Sequence, residues 1–212
     1  MRIVAGELRG QPFSAPPGTA TRPTTDRVRE AIFSSVFSLF GDLDGAAVLD
    51  LFAGSGAMGF EALSRGAARA VGVESARQAQ RTIESNASKL GLTDRYTLVG
   101  CEAATASARI RAVAPAGGFG VVFLDPPYAV EPSAIAEILG VLAAQGELAP
   151  GALVCYEHAP RADAVWGEPF HELRTKKYGD TALSYARYLP SSDGDDAEPD
   201  PRVDDFERDT NA

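Results

Sequence analysis

A chain of 212 residues, 45% of them apolar, is long enough to bury a full core, and no apolar run approaches the roughly 18 residues that span a bilayer, which excludes a membrane-spanning helix. A net charge of −9 argues at first against a nucleic-acid partner, because phosphate contacts need positive surface. The charge is uneven: residues 190–212 hold nine acids against Arg202 and Arg208, so this tail carries −7 and the other 189 residues only −2. With its prolines and few apolar residues, the tail is expected to be disordered. The first residues lack the apolar core of a secretory signal. Cys101 and Cys155 match no metal or redox spacing, so a reduced cytoplasm and no bound metal are expected.

Residues 1–23 hold two short apolar pieces among glycines and prolines, with Arg2, Arg9 and Arg22 against Glu7. They read as a short hairpin or an extended arm over the main domain, basic enough to suit a phosphate backbone, although composition alone favours an ordinary solvated arm. From Thr25 onward, Val28, Ala31, Ile32, Val36, Leu39 and Phe40 recur at helical spacing, with Thr24, Thr25 or Asp26 as cap and Gly41 as terminator. The opposite face carries Arg27, Arg29 and Glu30, either solvated or facing RNA.

Strands and helices then alternate. Strands are expected at 46–51, 70–74, 96–100, 119–124 and 152–156, and helices at 57–65, 75–90, 103–113 and 132–144. Ser75 and Gln78 form a capping-box pattern. Continuous apolar strands between helices imply a parallel sheet covered on both faces. Residues 170–178 and 182–189, joined by Gly179-Asp180-Thr181, read instead as a closing hairpin. Trp166, Phe170 and Tyr185 are expected to pack around it. Arg174, Lys176 and Lys177 form a basic cluster that either contacts phosphate or protects a sheet edge. Glu157 and His158 fall at the ligand edge beyond the fifth strand, within reach of a substrate, and a loop role is the simpler reading.

The chain is organised around Val48-Leu49-Asp50-Leu51-Phe52-Ala53-Gly54-Ser55-Gly56-Ala57-Met58-Gly59, a strand, a tight glycine turn and a helix start. The glycines also satisfy the dinucleotide pattern G-x-G-x-x-G, and Glu74 lies where a ribose-binding acid would, so a nicotinamide-dependent oxidoreductase competes with other nucleotide users. Asp50 favours a ligand carrying an ammonium group, which S-adenosylmethionine has and NAD lacks. Asp125-Pro126-Pro127-Tyr128 after the fourth strand offers acceptors to an exocyclic amine: the Asp125 carboxylate and the Pro126 carbonyl each take one N–H, two prolines fix the backbone, and Tyr128 stacks on an extruded base.

The Asp50-to-Gly56 loop resembles the S-adenosylmethionine loop of class I methyltransferases, and Asp125-Pro126-Pro127-Tyr128 resembles the turn of their amine-methylating branch. Together with Met1-Arg2-Ile3-Val4-Ala5-Gly6 and Arg22-Pro23-Thr24-Thr25-Asp26-Arg27-Val28-Arg29-Glu30, these motifs look like the family that methylates guanine N2 in bacterial 16S ribosomal RNA. The resemblance covers about residues 1–189. It implies a class I methyltransferase (Rossmann-like) α/β sheet, mostly parallel with a C-terminal antiparallel hairpin and helices on both faces. It divides the chain into an RNA-facing arm and helix (1–44), an S-adenosylmethionine-dependent domain (45–189) and an acidic tail (190–212). It implies catalytic Asp125, Pro126, Pro127 and Tyr128; cofactor-binding Asp50, Phe52, Gly54, Gly56 and Glu74; and RNA-binding Arg2, Arg9, Arg22, Arg27 and Arg29. The expected partner is 16S RNA, in the 30S subunit or an assembly intermediate, met by a monomer. Where such enzymes often place an acid and a small residue to read adenine, this chain has Gly100-Cys101-Glu102-Ala103, so either Glu102 or backbone N–H groups serve. An adenine-N6 or protein-glutamine methyltransferase shares the same turn, and a catalytically silent RNA-binding module is a further alternative.

Overall fold

A computed structural model of the chain describes residues 1–17, 26–127 and 129–190. Arg22, Thr24, Thr25, Tyr128 and the acidic tail from residue 191 lie outside the described residues. The elements are α1 (Asp26–Leu39), β1 (Ala47–Asp50), α2 (Ala57–Ser64), β2 (Arg69–Val73), α3 (Arg77–Leu90), β3 (Tyr96–Val99), α4 (Ser107–Arg111), β4 (Phe119–Leu124), α5 (Pro132–Ala144), β5 (Leu148–His158), β6 (Phe170–Tyr178) and β7 (Thr181–Tyr188). One sheet runs β3-β2-β1-β4-β5-β7-β6. The first five strands are parallel, β7 runs antiparallel to β5, and β6 pairs antiparallel with β7. This is the expected class I methyltransferase sheet, with the closing hairpin folded so that its second strand is the inner one.

Alternation along the strands splits the core into two layers. Val48, Ala70, Val121, Phe123, Leu153, Cys155 and Tyr185 pack against α1, α2, α3 and the N-terminal arm. Leu49, Val71, Val122, Val154 and Ala186 pack against Ile110 of α4 and Ile135, Leu139 and Leu142 of α5. Phe170 joins this second layer and Trp166 packs against it, while Tyr185 is buried in the first. Burial pushes the Cys155 thiol well above its ordinary range, as suits a packing residue.

Three local expectations are corrected. Ser75 and Gln78 do not cap α3; it starts at Arg77, and the Ala76 N–H instead donates to the Glu74 carboxylate at 2.8 Å. The single helix expected at 103–113 is a 3₁₀ turn at Ala103–Thr105 followed by the short α4. Glu157 and His158 are the last residues of β5, not a loop.

The arm folds back through Ile3 N–H to the Gln11 carbonyl (3.0 Å) and Gly10 N–H to the Ile3 carbonyl (2.8 Å), burying Ile3 and Phe13 in the first layer. Its backbone is fastened by buried side chains of α2 and α3. The Glu61 carboxylate accepts the Val4 and Ala5 N–H groups at 2.9 and 3.0 Å. Asn86 accepts the Ser14 N–H at 2.9 Å and donates to the carbonyls of Ser14 and, in the glycine loop, Ser55 at 2.8 and 3.2 Å. Arg29 belongs to the same network, so its expected RNA-facing role is a correction. It is fully buried, 3.4 Å from Glu61, and donates to the Arg2 carbonyl and to Asp26 at 2.7 Å each. A buried guanidinium must be paired, and Asp26 and the fully buried Glu61 are its partners.

Replacing Asn86 with alanine orphans Ser14 and one loop carbonyl at once. Asn86 is the buried end of these bonds while Ser14 is exposed and Ser55 half-buried, so their loss costs about 1 kcal/mol, which urea titration would read as a lower midpoint at unchanged slope.

Candidate active site

The glycine turn lies at the carboxyl ends of the parallel strands. Gly54 and Gly56 take left-handed backbone, φ +53 and +82, which excludes a side chain at low cost. At Gly56 a Cβ would also stand 2.5 Å from the Phe60 ring. The turn is held by Ala53 N–H to the Val73 carbonyl at 2.9 Å and by Gly54 N–H to Glu74 at 2.8 Å. Glu74 therefore bridges the glycine loop and the start of α3 with its two carboxylate oxygens, each of which retains a lone pair for a further donor.

Register assembles the acids. Gly72, Asp50, Phe123 and Cys155 form one row across β2, β1, β4 and β5. Two residues further along each chain, on the same side as the first core layer, stand Glu74, Asp125 and Glu157. Asp50 is 2% exposed, and its Oδ2 is buried with no hydrogen-bond partner. Burial, reinforced by the charges of Asp125 and Glu74, pushes its carboxyl up to about 7, against the opposing pull of the Phe52 and Gly59 N–H groups. Glu157 is likewise raised to about 7 by burial and by Asp125, with Thr181 opposing. Asp50, with its orphaned oxygen, and Glu74 beside the glycine turn form a receptor for a cation. These residues fit the ammonium group of the expected cofactor and disfavour the pyrophosphate of a dinucleotide, which would bring more negative charge to the same place.

Asp125 and Pro127 are exposed past the end of β4 and Pro126 is half-buried; the Pro127 carbonyl accepts the Val130 N–H at 2.9 Å. Phe52 is half-buried against the second core layer. Glu102 is exposed beyond β3 at the same edge, just before the 3₁₀ turn. Arg2, Arg9 and Arg27 are exposed. Lys176 and Lys177 are exposed on β6, whereas Arg174 is half-buried over the Tyr185 ring. The sequence puts Glu157 at the ligand edge with a loop role as its simpler reading; the signal that favours a site role is its place two residues after Cys155 on the strand neighbouring Asp125. Among the described residues no group of three or more His, Cys, Asp or Glu is arranged to hold a metal, and no helix is long and apolar enough to cross a membrane.

The family model described as conserved hypothetical protein 95 matches residues 1–187. Ribosomal RNA small subunit methyltransferase D of Escherichia coli is 35% identical over 157 residues, 74% of each chain. Its Haemophilus influenzae counterpart is 29% identical over 188 residues, 89% of this chain and 93% of that protein. The Escherichia coli yhhF structure superposes with a TM-score of 0.71 at 30% identity, covering 89% of this chain and 98% of that one. A Salinibacter ruber RNA methyltransferase in complex with S-adenosyl-L-homocysteine, 20% identical with a TM-score of 0.59 over 84% of this chain and 99% of its own, shares the fold. Matched by the family model over residues 1–187 and by these relatives, the chain belongs to the conserved hypothetical protein 95 family, that of the ribosomal RNA small subunit methyltransferase D proteins.

Proposed function

We propose that this protein transfers a methyl group from S-adenosylmethionine to the exocyclic N2 of a guanine in 16S ribosomal RNA, acting as a monomer on the small subunit or an intermediate in its assembly. The observation that carries the reading is the carboxylate row around the Gly54–Gly56 turn, which leads at Asp125 into Pro126 and Pro127. The names of the relatives support an RNA substrate of the small ribosomal subunit. Asp50 and Glu74 would hold the cofactor with the Gly54–Gly56 backbone, and Phe52 and Glu102 flank it. When bound, S-adenosylmethionine supplies an electrophilic methyl group on a sulfonium.

The protein's task is to make a poor nucleophile attack. The N2 lone pair of guanine is delocalised into the ring. Asp125 and the Pro126 carbonyl accept the two N–H bonds, which favours a tetrahedral nitrogen and aims its lone pair. Positive charge then builds on nitrogen beside the Asp125 carboxylate, which eases it and takes up the released proton. Tyr128 stacks on the extruded base. Arg2, Arg9, Arg22 and Arg27 carry the phosphate contacts, and each of Arg2, Arg9 and Arg27, which are exposed, when changed to alanine should reduce the slope of log affinity against log salt by roughly 0.7 to 0.9.

Labelled S-adenosylmethionine with unmodified 30S subunits and with naked 16S RNA, followed by digestion to nucleosides, tests the reading. Label in N2-methylguanosine is expected. Its absence from both substrates overturns the guanine assignment, and label in N6-methyladenosine reassigns the base.

A further inference from the structure

We infer that Glu157 selects guanine by accepting its ring N1–H while Asp125 engages the neighbouring N2 amine, an inference that rests on the methyl-transfer reading above. Phe123 pairs with Cys155 and Leu124 with Tyr156, so Asp125 and Glu157 leave adjacent parallel strands side by side. Neighbouring strands lie about 4.8 Å apart, close enough for two side chains to converge on adjacent donors of one base edge.

The Glu157 carboxyl is oriented and only half used. Thr181, at the start of β7, donates to Oε1 at 3.0 Å. Oε2 is buried without a hydrogen-bond partner. A purely structural role would need only the first oxygen, and Thr181 also reaches the His158 carbonyl at 3.2 Å. Keeping a second buried acceptor unsatisfied is costly unless a donor arrives with a ligand. The other groups facing this carboxyl do not supply one: Asp125 is a second acid, and the residue opposite on β7 is Leu183. Beyond Leu183 the same row reaches Lys176, exposed on the edge strand.

Among the four standard bases, guanine alone presents a ring N–H beside an exocyclic amine. Adenine and cytosine place a ring lone pair beside theirs, which would meet the Glu157 oxygen as acceptor against acceptor. An Asp-Pro-Pro turn by itself accepts any of these amines. The acid on the neighbouring strand would make the choice.

The test is made with the full chain at about pH 8, where the Glu157 carboxyl is ionised. The labelled guanine is first mapped in the wild-type product; failure at this step counts against the methyl-transfer reading, not against the role of Glu157. 16S RNA is then ligated with 2,6-diaminopurine at that single position, which retains the 2-amino group but puts a lone pair at N1. Wild type is expected to prefer guanine by on the order of 10²-fold in kcat/KM or more, as sites built around a substrate N–H do. Glu157→Gln, whose amide can donate as well as accept, should lower kcat/KM on guanine and shrink the preference to within about tenfold, with S-adenosylhomocysteine binding unchanged. Equal use of both bases by wild type overturns the inference whatever the variant does, and so does a wild-type preference ratio retained by Glu157→Gln.

Discussion

Asp125→Ala is expected to lower methyl transfer by on the order of 10³-fold, the upper range for losing one preorganised group that meets developing charge, with S-adenosylhomocysteine affinity unchanged or slightly tighter. The two halves of the expectation have separate causes. Transfer falls because the carboxylate both aligns the amine and opposes the positive charge that builds on nitrogen. Affinity for the product cofactor does not fall, because Asp125 is one of the charges that disfavour an ionised Asp50. Removing it lets Asp50 ionise more readily near neutral pH and hold an ammonium better. Asp125→Asn keeps an acceptor without the charge and should recover part of the lost rate. Single-turnover transfer to 16S RNA, with calorimetric titration of S-adenosylhomocysteine, separates the two. Transfer by Asp125→Ala within tenfold of wild type would remove the carboxylate from the mechanism.

The parts of this site that are legible in the sequence are local ones. The glycine turn announces itself because a strand, an acid and two left-handed glycines follow one another within a few residues. The closing hairpin is equally local, two alternating stretches around Gly179-Asp180-Thr181, although nothing in its pattern says that β7 inserts between β5 and β6. Arg29 shows where such reasoning stops. Its charge invites a solvated reading, yet on the helical wheel it stands about 200° from Arg27 and one turn before Ile32 and Phe33, on the face of α1 that packs inward, where the folded arm and Glu61, 32 residues away in sequence, receive the guanidinium. Glu157 illustrates the complementary failure: an acid after a run of apolar strand residues looks like a strand end, whereas β5 continues to His158 because β7 pairs with it that far. Charge repulsion among Asp50, Glu74, Asp125 and Glu157 is a property of register across separate strands, which no single segment contains.

Asp50→Asn is expected to weaken S-adenosylhomocysteine binding at about pH 8 by on the order of 10²-fold, the cost of removing one partner of a buried charge pair. It should also abolish a pH dependence that the wild type shows. In the ligand-free protein Asp50 holds its proton up to about pH 7, and an ammonium group needs the ionised carboxylate. Wild-type affinity should therefore fall by about tenfold per pH unit below 7 and level off above it. The same shift acts on stability with a defined sign. Because the folded-state value is raised, ionising Asp50 opposes folding, so ligand-free stability declines as pH rises from about 4 through about 7. Glu157, raised to a similar value, adds a decline of its own. Asp50→Asn removes the first contribution and leaves the second, so the ligand-free variant should be more stable than wild type at pH 8 while binding the ligand less well. Calorimetric titration and urea unfolding at pH 5.5 and pH 8 check both halves; a wild-type slope of affinity against pH that survives in Asp50→Asn would assign the titrating group elsewhere. A variant that is firmer when empty and poorer at binding is what an acid kept buried for its ligand predicts, because the repulsion it suffers in the free protein is relieved only when the cation arrives.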